Sequence, residues 1–156
     1  MLVFLWGNLW PLFPTWKGLI FICKIGDIIV VEKFKDENND IISKHSFIVI
    51  DDKSNCIQGL NYDYVCNMMC SFHSAKHKKN KLKYLQNILV KEGQAYGENI
   101  NGKEGYIKAN KVYYFRKDII KYYVIAQLDG EVLKKLFKII SILYNNKRLE
   151  AITTNL

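Results

Sequence analysis

Between residues 25 and 128 the apolar residues come in short, β-branched-rich runs cut by polar turns, and only after Asp129 does their period lengthen to three and four. That switch most restricts the fold, because short period-two runs make strands and a single 3.6-period run makes one packing helix. The spacing predicts strands over 25–34, 41–50, 56–60, 64–71, 87–90, 105–109, 112–115 and 122–128. Residues 35–40 (KDENND) and 51–55 are turn clusters, too hydrophilic to bury. Residues 73–84 and 91–104 are expected to be loops, the first polar and basic, the second carrying Gly93, Gly97 and Gly102.

Beyond Asp129, the residues Val132, Leu133, Leu136, Phe137, Ile139, Ile140 and Leu143 form one stripe, with Lys134, Lys135 and Lys138 opposite. Asp129 suits an N-cap, and Glu131 lies in the first turn, where the helix dipole favours a negative charge. Many short strands followed by one helix predict a mainly β chain of the α+β class, a small twisted barrel with a C-terminal helix. A length of 156 residues fits one such domain, spanning 24–148, with an apolar extension over 1–23 and a tail over 149–156.

Residues 1–22 are apolar with the single charge Lys17. They lack the basic start and small-residue exit of a signal peptide, and Gly7, Pro11, Pro14 and Lys17 interrupt a membrane helix. A start placed too early, or an extension with little order, is the favoured reading; a membrane anchor and a packing arm stay open beside it. Cys23, Cys56, Cys66 and Cys70 sit in apolar runs and are expected to be reduced, buried thiols in a cytoplasmic protein.

The net charge is +8, from 23 basic against 15 acidic residues. Such a surplus favours an anionic partner, although a lysine-rich, Ile-, Asn- and Tyr-rich chain is also what AT-rich codons produce, so the distribution of charge decides. It concentrates over residues 73–83, where five lysines and two histidines fall within eleven residues without an acidic one.

Particular residues carry a family resemblance. The opening Lys24-Ile25-Gly26-Asp27-Ile28-Ile29 is similar to the first strand of the MazF/PemK-like toxin endoribonucleases, and Lys44-His45-Ser46-Phe47-Ile48-Val49-Ile50 to their second. Val65-Cys66-Asn67-Met68-Met69-Cys70-Ser71 resembles the strand that ends at a catalytic Thr or Ser. Val124-Ile125-Ala126-Gln127-Leu128, followed by a helix of the form E-x-L-x-x-L-x-x-I, resembles the closing strand and helix. The resemblance covers about residues 24–145 and implies an SH3-like barrel that cleaves single-stranded RNA. Two departures stand out. Lys44 and His45 replace the family arginine, and Cys70-Ser71-Phe72 replaces the usual Thr-Ser-Gln. A Lys and a Ser at these places look more like the type III branch (ToxN/AbiQ/CptN), restrained by a folded RNA antitoxin.

The chemistry so implied is metal-independent attack of a ribose 2′-OH on the adjacent phosphate, with no cofactor. It needs a cation at the phosphate, a group titrating near neutrality and a hydroxyl donor. Lys44, His45 and Ser71 are the candidates. Phe72, His73, Lys76, His77, Lys78, Lys79, Lys81 and Lys83 are the candidate RNA-binding residues, the charges for phosphates and Phe72 or Tyr84 for stacking. The expected partners are an RNA substrate and an antitoxin, either a structured RNA or a small acidic protein; a homo-oligomer stays open. A zinc reading of Cys66, Cys70, His73 and His77 is set aside, because four residues of strand span about 13 Å. Two other functions compete: a non-catalytic RNA- or protein-binding SH3-like module, and a peripheral membrane protein using the apolar N-terminus.

Overall fold

A computed structural model describes residues 23–54, 59–97 and 103–156. The apolar extension, all but Cys23, and the expected strand at 56–60, all but Gly59 and Leu60, lie outside the described residues. Among the described residues nine strands and two helices follow in order: β1 (Asp27–Lys35), β2 (Ile41–Asp51), β3 (Tyr64–Ser71), α1 (Ala75–Lys81), β4 (Asn87–Val90), β5 (Ala95–Tyr96), β6 (Gly105–Lys108), β7 (Lys111–Phe115), β8 (Tyr122–Leu128), α2 (Gly130–Asn145) and β9 (Glu150–Ile152).

The strands make one sheet ordered β4-β6-β3-β2-β1-β8-β5, with β7 on β3 and β9 on β7. All pairings are antiparallel except β7 with β9. The ends of the path, β4 and β5, are joined by the short turn at 91–94, so the sheet curls into a nearly closed barrel. This is the predicted mainly β class with a C-terminal helix, and it is compatible with an SH3-like barrel.

Residues 47–49 of β2 are buried on both faces because the sheet has a core on each side. Phe47 and Val49 join Ile29, Val31, Phe34 and Phe115 on one side, where Phe34 and Phe47 meet edge to face at 5.0 Å. Ile48 joins Ile28, Ile88, Val90 and Ile107 on the other, beneath α2. The helix buries Val132, Leu136, Ile139 and Leu143, and its Asp129 side chain accepts hydrogen bonds from the N–H groups of Glu131 and Val132. Each such side chain contributes about 1.5–3 kcal/mol by leaving water. Among the described residues no helix is long and apolar enough to cross a membrane.

Three segments differ from expectation. Residues 75–81, expected as loop, form α1, capped by Ser74 Oγ accepting from His77 N–H; none of its residues is buried, so no apolar period announced it. Two residues of the expected 91–104 loop, Ala95 and Tyr96, pair with Leu128 and Gln127. The tail is built into the domain: β9 pairs with β7, and buried Asn155 accepts from Lys35 N–H at 2.6 Å and donates to Lys35 C=O at 2.8 Å.

Candidate active site

β2 and β3 pair with Ser46 opposite Met69 and Phe47 opposite Met68. Running that register toward the end of β3 sets His45 against Cys70 and Lys44 against Ser71. The His45 Nε2 to Cys70 Sγ separation of 3.9 Å bears this out. Successive strand residues face opposite sides. Lys44, Ser46, Met69 and Ser71 therefore share the side of the α2 core, while His45 and Cys70 share the other.

β6 completes the second side. Tyr106 pairs with Cys70 and Gly105 with Ser71. A Cβ at Gly105 would lie 2.5 Å from Cys70 C=O, so only glycine lets β6 come this close to the end of β3. Two residues beyond Tyr106 on the same face is Lys108. Its strand end is held by Asn67, fully buried on β3, whose Nδ2 donates to the carbonyls of Lys108 at 3.1 Å and Lys111 at 2.8 Å.

Because β3 stops at Ser71 while β2 continues, side chains from both faces reach one cavity at the rim. Its volume is about 550 Å³. Lys44, His45 and Ser71 all line it, as do His73, His77 and Lys81 from α1 and the segment before it, and Tyr106 and Lys108 from β6. Three lysines and three histidines thus surround the space, and among the described residues no Asp or Glu lines it. An uncompensated cluster of this kind attracts an anion.

The protonation states differ from group to group. Burial, reinforced by the Lys108 ammonium, holds the His45 imidazole below its ordinary range, against a hydrogen bond to the Met69 main chain, so the ring is neutral at pH 7. Burial pushes the Cys70 thiol up, with Lys108, Tyr106 and Lys81 opposing, so Cys70 is a protonated neighbour rather than a nucleophile. The Tyr106 hydroxyl is pushed up to about 12, chiefly by burial and then by Cys70. A hydrogen bond to Tyr123 raises the Lys44 ammonium, which also sits 5.5 Å from the centre of that ring. His77 is lowered by desolvation, then by His73 and Lys81; His73 N–H donates to its Nδ1 at 3.3 Å.

The remaining candidates are placed elsewhere. Lys78 is bound to Glu104 at 2.6 Å and lies 5.9 Å from the Phe72 ring centre. Phe72 is half-buried and stacked on Tyr106 with centroids 5.0 Å apart, so its ring is already engaged within the protein. Lys76, Lys79 and Lys83 are exposed and outside the cavity, and Tyr84 is exposed as well. Sequence reasoning missed Lys108 and Tyr106. Their alternation in Gly105-Tyr106-Ile107-Lys108 was visible, but nothing local reveals that β6 lies beside the end of β3.

Among the described residues no group of three or more His, Cys, Asp or Glu side chains is arranged to hold a metal ion. What the rim offers is three cations, a neutral imidazole and hydroxyl donors around one open space. No protein-family model matches the chain, and no curated protein matches it.

Proposed function

We propose that this chain is a toxin-type endoribonuclease that cuts single-stranded RNA by attack of a ribose 2′-OH on the adjacent phosphate. The observation that carries the reading is the rim cavity shared by Lys44, His45 and Ser71, which no Asp or Glu lines among the described residues. The likeness of its strands to the MazF/PemK-like toxins, and of Lys44 and Ser71 to the type III branch, supports it.

In this mechanism the scissile phosphate sits between Lys44 and Ser71, whose strands run in register. Neutral His45 takes the 2′-OH proton, the new 2′-O–P bond forms, and the P–O5′ bond breaks. The leaving 5′ oxygen takes a proton from water, which gives a 2′,3′-cyclic phosphate and a 5′-hydroxyl end. Lys44 and Lys108 stabilise the charge that builds on the phosphorane, and Ser71 donates a hydrogen bond to it. Lys81, His73 and His77 hold the neighbouring backbone phosphate. A toxin of this kind acts in the cytoplasm under restraint by an antitoxin, a structured RNA or a small acidic protein.

One observation favours the alternative, a non-catalytic RNA-binding module: Lys44 and His45 are consecutive and leave β2 on opposite faces. Expression in a bacterial host separates the two. The nuclease reading expects growth arrest and RNA breakdown, relieved by Lys44→Ala or Ser71→Ala. Retention of RNA without cleavage would favour the binding module.

A further inference from the structure

On its edge away from β2, β3 pairs with two strands in succession, and their registers do not match. Met69 pairs with Ile107 of β6, and Cys66 with Tyr113 of β7. Between these pairs β3 advances three residues, from Cys66 to Met69, while the opposite chain advances six, from Ile107 to Tyr113. The surplus forms a bulge around Ala109 and Asn110, where no strand pairing holds the main chain. Bulges bend a strand and re-aim its side chains.

Asn67 stands at that bulge and is fully buried. Its Nδ2 donates to three carbonyls there, Lys108 at 3.1 Å, Ala109 at 3.4 Å and Lys111 at 2.8 Å. The three acceptors fix the amide's orientation, because turning it over would set its oxygen against them. Among the described residues Asn67 Oδ1 has no hydrogen-bond partner. A buried acceptor left unpaired is unfavourable, so what Asn67 brings to this place is its donors. Two main-chain bonds hold the rest of the bulge. Ala109 N–H donates to Gln86 C=O at 2.7 Å, and Glu150 N–H to Asn110 C=O at 2.8 Å. The lysines at its two ends diverge. Lys108 lines the rim cavity together with His45, whereas Lys111 pairs with Glu37.

We infer that Asn67 is a positioning residue of the rim cavity: its amide holds the bulge in the shape that delivers the Lys108 ammonium to the space Lys108 shares with His45. Asn67 itself does not line the cavity, so it acts through Lys108. What Lys108 does for a phosphate rests on the nuclease reading above; its place in the cavity does not.

The test is a double-substitution cycle read by the His45 pKa, from an NMR titration of the imidazole in the RNA-free protein. Lys108→Gln removes a cation that opposes protonation, so it raises that pKa. The inference expects Asn67→Ser, whose short side chain loses the three bonds, to move it in the same direction. In a chain that already carries Lys108→Gln, Asn67→Ser moves it no further, the mark of two residues acting as one. Asn67→Leu, similar in size but without donors, behaves as Asn67→Ser does. Leu136→Ala, which weakens the fold on the buried face of α2, keeps the wild-type value. Cleavage follows the same pattern: Asn67→Ser slows it by up to about 100-fold and adds nothing to Lys108→Gln. An unchanged His45 pKa in a folded Asn67 variant would overturn the inference, as would a shift of equal size with and without Lys108. Failure of both Asn67 variants to fold would overturn it too, by making Asn67 a residue of stability alone. If the protein cuts no RNA, the nuclease reading falls, while the pKa cycle still decides what places Lys108.

Discussion

His45 Nε2 lies 3.9 Å from Cys70 Sγ, on the face of the β2–β3 pair opposite to Lys44 and Ser71. The imidazole therefore does not stand beside the ammonium that precedes it in sequence; it reaches the same cavity around the end of β3. Burial there, and then the Lys108 ammonium, favour a neutral ring, which suits a base.

The first prediction concerns pH. His45 is held below its ordinary value of 6.5, so the acid limb of RNA cleavage should have its midpoint below pH 6.5. Stability follows the same group. Well above pH 6.5 the ring is neutral whether the chain is folded or not. Below it the unfolded ring protonates first, so stability declines with falling pH until the folded ring also takes its proton. Urea midpoints at pH 7.5 and 5 should differ less in His45→Gln than in the wild type. An NMR titration placing the His45 pKa above 6.5 would contradict this account.

Ser71→Ala should reduce the cleavage rate about 100-fold while leaving the fold intact, the usual cost of losing one donor to a transition-state oxyanion. Lys44→Ala should do at least as much. Thermal unfolding within a few degrees of wild type, measured alongside the rates, separates lost chemistry from lost structure.

Lys108, which no local pattern singled out, should matter more than the lysines outside the cavity. Lys108→Gln should lower the slope of log affinity for RNA against log salt by about 1, and Lys79→Gln should change it less. The same Lys108→Gln substitution should raise the His45 pKa, because it removes a cation that opposes protonation.

Gly105→Ala forces a methyl group into Cys70 C=O. The expected result is lost stability together with lost activity, since β6 and the end of β3 must part. Leu136→Ala, on the buried face of α2 and outside the cavity lining, should destabilise by about 2–5 kcal/mol through the void it leaves while leaving the chemistry of the folded fraction unchanged.

Much of the architecture was legible because its signals are local. Tyr64–Ser71, Asn87–Val90 and Tyr122–Leu128 are strands with the predicted bounds, and Asp129 caps the predicted helix. The misses share a cause. α1 buries nothing, β5 has two residues, and β9 contributes one buried side chain, Ile152, so none carries a periodic apolar signal. The cavity was legible only in part. Lys44 and Ser71 follow from two strand ends, whereas Lys108 and Tyr106 depend on β6 returning to β3, a long-range pairing no spacing encodes. Phe72 or Tyr84 was expected to stack on a base; Phe72 stacks on the neighbouring Tyr106, and Tyr84 is exposed.

The most direct measurement is the end chemistry of RNA incubated with the purified protein in excess EDTA. A single-stranded RNA carrying one cleavable nucleotide among 2′-O-methyl residues is compared with the same strand bearing 2′-deoxy at that nucleotide. The account predicts that the first is cut to a 2′,3′-cyclic phosphate and a 5′-hydroxyl, that the second survives, and that Lys44→Ala spares both. Cutting of the deoxy strand, or cleavage of the first strand undiminished in Lys44→Ala, would contradict it.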